Sequence, residues 1–291
     1  MKSPFVGKVL STERITASKS PYYTRHIILD CAGSAMEGKV RAGQSIGVIP
    51  PGTDPRTGKP AILRLYSTAS PSFGEDGQGR HYALCVKRVI DENWNDGSLF
   101  LGYCSNYACD LPAGAEVRLT GPSGKHFVLP EDPAKHNHVF IATGTGIAPF
   151  RGMMMDLERS GFTGKTALYF GVPYSTDVLY DRLFKDYEKK MGLRYRVAVS
   201  REQFAKDGKR KYVDAVLAED EAAKELLADP RTIVYICGLK GMEDGLFSIF
   251  HSWNTGLLDL PPGFDPAHPA DPKNPWKGVK PNRERLLVEV Y

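Results

Sequence analysis

The chain has 291 residues, 42% of them hydrophobic and 25% charged, with a formal net charge of +4. This is ordinary globular composition, enough for two domains of about 100–200 residues each and for a core that needs neither disulfides nor a structural metal. Internal repeats, low-complexity tails and an apolar run of about 18 residues are absent, so neither a membrane span nor a nucleic-acid partner is expected.

Five cysteines, Cys31, Cys85, Cys104, Cys109 and Cys237, are an odd number without a C-x-x-C pair. Cys104 and Cys109 have the C-x4-C spacing that opens plant-type iron–sulfur loops, but the next ligand position holds Pro112. Neither a cluster nor zinc is expected, and the thiols read as reduced. The opening "MKSPFVGKVLSTERI" lacks the apolar region of a signal peptide. The expected location is the cytoplasm, although a transit peptide already removed would leave no mark.

Residues 1–25 carry Lys2, Lys8, Arg14, Lys19 and Arg25 against Glu13 alone. Such an edge is either a solvated strand and loop or a docking surface for an acidic partner, where charge acts mainly on the encounter rate. To about residue 130, short β-like runs are separated by Gly and Pro: "GKVLSTERI", "TRHIILDC", "SIGVIPPG", "ILRLYSTAS", "HYALCVKRVI", "EVRLTGP". This rhythm predicts an antiparallel barrel or sandwich. Within "RLYSTAS", Arg64 is a permanent cation suited to a pyrophosphate, and strand alternation puts Tyr66 on its face and Ser67 on the other. A ring and a hydroxyl beside a phosphate anchor suit a flavin. Taken alone, the same residues also make an ordinary amphipathic strand. "GYCSNYACDLPAG" marks a helix start, with Ser105 or Asn106 as N-cap and Pro112 as the stop.

After His136 the pattern changes. "HVFIATG", "TALYFGV", "RYRVAVS" and "TIVYICG" are continuous apolar strands alternating with helical stretches, which predicts a doubly wound parallel sheet. "FIATGTGIAPF" places Gly144 and Gly146 after a strand and Pro149 at or near the first helical position. That turn is either a phosphate cradle at a helix N-terminus or a tight turn that binds nothing. At the end of the third parallel strand, Ser200, Arg201, Lys209, Arg210 and Lys211 cluster with Tyr212. A hydroxyl and guanidinium forks suit a 2′-phosphate, and Tyr212 can stack on adenine. A basic surface hairpin is the alternative, but its position makes NADP the expectation over NAD. Residues 261–281 hold seven prolines, which exclude a helix and favour an extended surface loop. The final "RLLVEVY" reads as one more strand, with Glu289 and Tyr291 on one face and Val288 and Val290 on the other.

"RLYSTAS", "CVKR", "GYCSN-ACDL", "GTGIAPFR", "VSREQ", "YICGLKGME" and the terminal "VEVY" stand in the order and approximate spacing of the plant-type ferredoxin–NADP⁺ reductases. The chain resembles that family over nearly its whole length. The resemblance implies an FAD-binding antiparallel β-barrel domain at 1–133 and a Rossmann-like α/β NADP-binding domain at 134–291. Arg64, Leu65, Tyr66 and Ser67 would hold FAD, with Tyr66 on one face of the isoalloxazine and Ser67 near N5. Cys85, Val86 and Lys87 would line the FAD site, and Lys87 would also reach the NADP phosphates. Tyr103, Cys104 and Ser105 would sit by the FAD pyrophosphate. Thr145, Val172, Pro173, Ser200, Arg201, Arg210, Tyr212, Gly238 and Leu239 would contact NADP, with Cys237 beside the nicotinamide. Tyr291 would cover the second flavin face as a displaceable gate, and Glu289 would stand near Ser67 and Cys237 at the hydride and proton site. Ser67 and Glu289 would therefore also serve NADP, and Thr145 also FAD.

One departure stands out. After "CVKR" the family carries a Tyr that stacks on the FAD adenine, and this chain has Asp91, with Trp94 as a substitute if the loop bends differently. The implied activity is electron exchange between NADPH and an acidic one-electron carrier, ferredoxin or flavodoxin, by hydride transfer between nicotinamide C4 and flavin N5. Two other readings remain: a reductase feeding an oxygenase or a dedicated iron–sulfur protein, and a flavin redox sensor without turnover.

Overall fold

Alternation sets up the first strand. In β1 (Phe5–Arg14), Gly7 and Val9 are buried while Val6, Lys8 and Leu10 are exposed. The computed structural model describes residues 3–93, 95–205, 208–269 and 271–291. Lys2 and Trp94, named above, lie outside the described residues. The chain divides into two compact units, Met1–Leu129 with Ala148–Ser160, and Pro130–Ile147 with Gly161–Tyr291.

The first unit contains β1, β2 (Thr24–Asp30), β3 (Ser45–Ile49), the short pair β4 (Thr53–Asp54) and β5 (Lys59–Pro60), β6 (Arg64–Ser67), and β7 (His81–Lys87). A second short pair, β8 (Ile90–Glu92) and β9 (Leu99–Leu101), leads into α1 (Tyr103–Asp110), and β10 (Glu116–Ser123) follows. Six strands form an antiparallel sheet in the order β6-β3-β10-β1-β2-β7. A bridge between Thr68 and Leu84 joins its two ends, and Ala69 N–H donates to the Ala83 carbonyl at 2.8 Å. The sheet is therefore closed as a barrel, which removes its edges. Its core includes Val9, Ile27, Leu29, Val48, Leu84 and Leu119, and Cys104, Ala108 and Cys109 of α1 complete it.

α1 corrects one expectation. Its N-cap is Gly102, not Ser105 or Asn106. Ser105 lies in the first turn, where its hydroxyl donates to the Gly102 carbonyl and accepts from Val89 N–H. Gly102 has no room for a Cβ, which would stand 2.6 Å from Ser105 Oγ and 2.8 Å from Val89 Cβ.

The second unit is built on β11 (Asn137–Thr143), β12 (Thr166–Val172), β13 (Arg194–Val199), β14 (Thr232–Gly238) and β17 (Leu286–Val290). All pairings are parallel, in the order β13-β12-β11-β14-β17. Every residue of β12 and β14 is buried, as expected for strands covered on both faces. Helices α3 (Asp181–Met191), α4 (Val213–Ala218), α5 (Glu221–Ala228) and α6 (Met242–Ser252) pack around the sheet, while α2 (Ala148–Arg159) groups with the first unit. α3 ends at Gly192 in the left-handed conformation, whose N–H returns to the Tyr187 carbonyl.

The proline-rich stretch is not helical. A two-stranded ribbon, β15 (Leu258–Asp259) with β16 (Lys280–Pro281), pins its ends. It is also less of a surface loop than its composition suggests. Trp276 is buried, with its ring 5.9 Å from Phe247, 6.0 Å from His251 and 5.4 Å from Phe264. No helix among the described residues is long and apolar enough to cross a membrane.

Candidate functional site

In the second unit, chain connections from β11 and β14 leave in opposite directions, so the crevice at their carboxyl ends is the place where such sheets bind ligands. Residues expected to serve NADP collect along this edge. After β11 the chain makes a tight turn through Gly144, with φ 54° and open space where a Cβ would point. Gly146 is the opposite case, because a Cβ there would stand 2.0 Å from the Cys237 carbonyl oxygen. Gly238, with φ 151°, would drive a Cβ to 2.1 Å from Thr143 Oγ1. These glycines let the backbones of β11 and β14 close together at the crevice.

Thr143 Oγ1 accepts from Leu239 N–H at 2.9 Å. Tyr291 N–H donates to the Gly238 carbonyl, and Lys240 N–H to the Tyr291 carbonyl, so the main chain after β17 is tied to the turn after β14. The Tyr291 hydroxyl lies 2.6 Å from Thr145 Oγ1, while the residue as a whole is 60% exposed. Glu289 is the register partner of buried Cys237. Burial raises the Glu289 carboxyl to about 7, so near neutral pH it holds a proton part of the time. Cys237, Glu289, Tyr291 and Thr145 are thus gathered at one edge.

The residues expected to meet the adenosine end come from β12, β13 and the segment after it. Ser200 and Arg201 donate their N–H groups to the carbonyls of Val172 and Pro173, both at 2.9 Å. A hairpin follows, with Ala205 N–H to Lys209 O, Lys211 N–H to Gln203 O and a bridge between Phe204 and Arg210. Arg201, Arg210 and Tyr212 are exposed on it. Lys211 is engaged with Glu219, while the guanidinium forks of Arg201 and Arg210 are exposed.

In the first unit, Arg64 and Leu65 are exposed on β6, and Tyr66 and Ser67 are half-buried. Burial, with the neighbouring Cys104 thiol, pushes the Tyr66 hydroxyl well above its usual range, so the ring acts as a neutral surface. Cys85, Val86, Cys104 and Ser105 are buried, which leaves mainly backbone for a ligand to meet. The Tyr103 hydroxyl donates to the Pro51 carbonyl at 2.7 Å and anchors the first turn of α1. The Lys87 ammonium lies 3.6 Å from the Tyr22 ring centroid. Arg14 is also turned inward on its loop, donating to the carbonyls of Ala17, Ser20 and Tyr22. Lys8 and Lys19 stay exposed on that basic edge. No group of three or more His, Cys, Asp or Glu among the described residues is placed to hold a metal.

The donor set fits a flavin dinucleotide in the first unit: a guanidinium, a half-buried neutral ring, and the amides of an anchored helix N-terminus. The second fits a phosphorylated nicotinamide dinucleotide. The comparisons agree. Residues 140–246 match the model of the oxidoreductase NAD-binding domain. The chain is 43% identical over 298 residues to the chloroplastic ferredoxin–NADP reductase leaf isozyme 1 of Oryza sativa subsp. japonica, covering all of this chain and 77% of that relative. The chain belongs to the ferredoxin–NADP reductase family. It is also 40% identical over 253 residues to the ferredoxin–NADP reductase of Spirulina sp, covering 84% of this chain and 85% of the relative. The same fold is seen in the Plasmodium falciparum ferredoxin–NADP⁺ reductase, with a TM-score of 0.74 at 24% identity, over 99% of this chain and 97% of that one.

One functional residue had no role assigned from its sequence. Arg151, in "GTGIAPFR", donates to Glu75 Oε1 and Oε2 at 2.6 and 3.0 Å and to the Ala69 carbonyl at 2.7 Å. Glu75 also accepts from Ser70 Oγ at 2.8 Å, and Asp156 takes both the N–H and hydroxyl of Ser72. This clamp fixes the chain that leaves β6 just after Ser67. An arginine three positions into a helix gave no sequence signal for a partner so distant.

Proposed function

We propose that this chain is a flavoenzyme that exchanges electrons between NADPH and ferredoxin, flavodoxin being the other carrier of suitable chemistry. The observation that carries the reading is the gathering of Thr145, Cys237, Glu289 and Tyr291 at the carboxyl edge of the parallel sheet. FAD, when bound, supplies hydride exchange with the nicotinamide and single-electron transfer to the carrier. The protein's own share is positioning and electrostatics.

In this reading, residues 1–133 bind FAD and residues 134–291 bind NADP(H). Arg64 and the amides at the start of α1 take the pyrophosphate, Leu65, Tyr66 and Ser67 the flavin ring, and the backbone at Cys85 and Val86 its edge. Arg201 and Arg210, both exposed, face a 2′-phosphate, with Ser200 as a hydroxyl donor and Tyr212 as a stacking ring. Val172, Pro173, Gly238 and Leu239 border the rest of NADP. Tyr291 is the ring that the nicotinamide displaces, and its hydroxyl contact to Thr145 is given up when it moves. A site that held its ground state more tightly would gain nothing in rate. Glu289, with its raised pKa, can carry a proton beside Cys237. Lys87, packed on Tyr22, reaches a phosphate only by leaving that ring. The cytoplasmic location expected from the sequence is kept, and five buried thiols support it.

The test is anaerobic titration of the purified flavoprotein with NADPH and with NADH. Bleaching of the flavin at far lower NADPH than NADH supports both the activity and the arginine assignment. A bound flavin that neither nucleotide reduces overturns it.

A further inference from the structure

Position 91, where the family resemblance leads to a ring against adenine, is an aspartate. The β8–β9 hairpin nevertheless presents a ring at that place. Asp91 is the register partner of Phe100, and residues directly opposite in an antiparallel pair project to the same face. Phe100 is 39% exposed, a large aromatic area to leave in water.

Part of this ring is already built into a stack. Arg56 reaches it from the turn between β4 and β5, with its guanidinium carbon 4.4 Å from the ring centroid. Asp54 engages that guanidinium with both carboxylate oxygens, accepting from Nε at 3.1 Å and Nη2 at 2.8 Å. Arg56 thus covers part of the ring while 39% of Phe100 stays open to a ligand. The ring also lies at the right end of the proposed flavin site. Phe100 stands two residues before Gly102, the N-cap of α1, about 7 Å along an extended chain. Tyr103 ties the same helix end to Pro51, beside the β4–β5 pair that carries Arg56.

We propose that Phe100, backed by Arg56, stacks against the adenine of FAD, with the ring contributed from β9 instead of from position 91. This rests on the FAD reading above. Base-on-ring stacking of this kind changes affinity by about tenfold or more per base, and it acts only on the part of the cofactor that FMN lacks.

The experiment measures flavin dissociation constants by equilibrium dialysis and flavin fluorescence. FAD and FMN are compared on the parent, Phe100→Ala, Phe100→Tyr and Arg56→Ala proteins. Phe100→Ala is expected to weaken FAD about tenfold or more while leaving FMN unchanged. Phe100→Tyr keeps the parent affinity, and Arg56→Ala loses a smaller factor because the ring remains. A Phe100→Ala protein that holds FAD as well as the parent overturns the proposal, as does one that loses FAD and FMN equally. A parent that binds FMN as tightly as FAD overturns both the stack and the FAD reading. A tightly held FAD that NADPH cannot reduce overturns only the activity.

Discussion

Glu289→Gln should remove a pH dependence of stability that the parent carries. Glu289 sits in β17 beside Cys237, and burial raises its carboxyl from an ordinary 4.5 to about 7. Between those values the folded protein keeps a proton that the unfolded chain has released. The stabilisation is therefore complete below about pH 4.5 and is lost as pH rises through about 7. At 1.36 kcal/mol per pKa unit, the full difference amounts to about 3 kcal/mol. Glutamine is neutral throughout and loses none of it. With roughly 2–4 °C of Tm per kcal/mol for a cooperative unit of about 150–250 residues, the unit that carries Glu289 should fall by about 5–10 °C more in the parent than in Glu289→Gln between about pH 5 and pH 8. Thermal melts of both proteins across that range measure the effect. Other groups titrate in both, so the difference between the two curves isolates this carboxyl. Parallel curves would refute the argument that burial sets its protonation.

Three further outcomes are expected. Arg201→Ala and Arg210→Ala should each raise KM for NADPH about 10- to 100-fold, the worth of a charge-assisted bond, with KM for NADH unmoved; steady-state kinetics with both nucleotides decide it. Trp276→Ala removes a buried ring that touches Phe247, His251 and Phe264 and should cost about 3–5 kcal/mol in urea denaturation. Arg151→Ala strands a Glu75 side chain only 14% exposed and should cost about 3–5 kcal/mol, part of which the double variant with Glu75→Gln recovers; equal stability of single and double variants would speak against the clamp.

Much of this molecule was legible in the sequence because its signals are local. Fully apolar runs such as "TALYFGV" and "TIVYICG" became β12 and β14, and the alternation in "LLVEVY" became β17. The Gly-rich turn was readable because its glycines answer steric demands, as at Gly146 against the Cys237 carbonyl. What escaped depends on partners far along the chain. The pairs β4–β5 and β8–β9 are two or three residues long and mostly exposed, too short for any periodicity. The cap of α1 is a glycine whose place is set by packing on Val89, while the Ser105 hydroxyl and Asn106 amide that advertised a cap lie inside the helix and donate back to the Gly102 carbonyl. Arg14 counted as a docking charge, yet its guanidinium staples its own loop. Trp276 sat in a stretch whose prolines announced a surface loop, and only the tertiary structure shows the ring buried beneath it.

The five cysteines have a use beyond what they exclude. All are buried thiols, and burial pushes Cys31 up to about 12 and Cys109 to about 11. Thiolate, the reactive form, is therefore scarce at these two while the fold is closed, and burial shields the other three sulfurs from a reagent. Cys31, Cys85, Cys104 and Cys109 belong to the first unit and Cys237 alone to the second. The molecule thus carries its own reporters of local opening. A pulse of alkylating reagent followed by mass spectrometry would tag the barrel and the nucleotide-binding sheet with different numbers of adducts, revealing which half opens first without any engineered label.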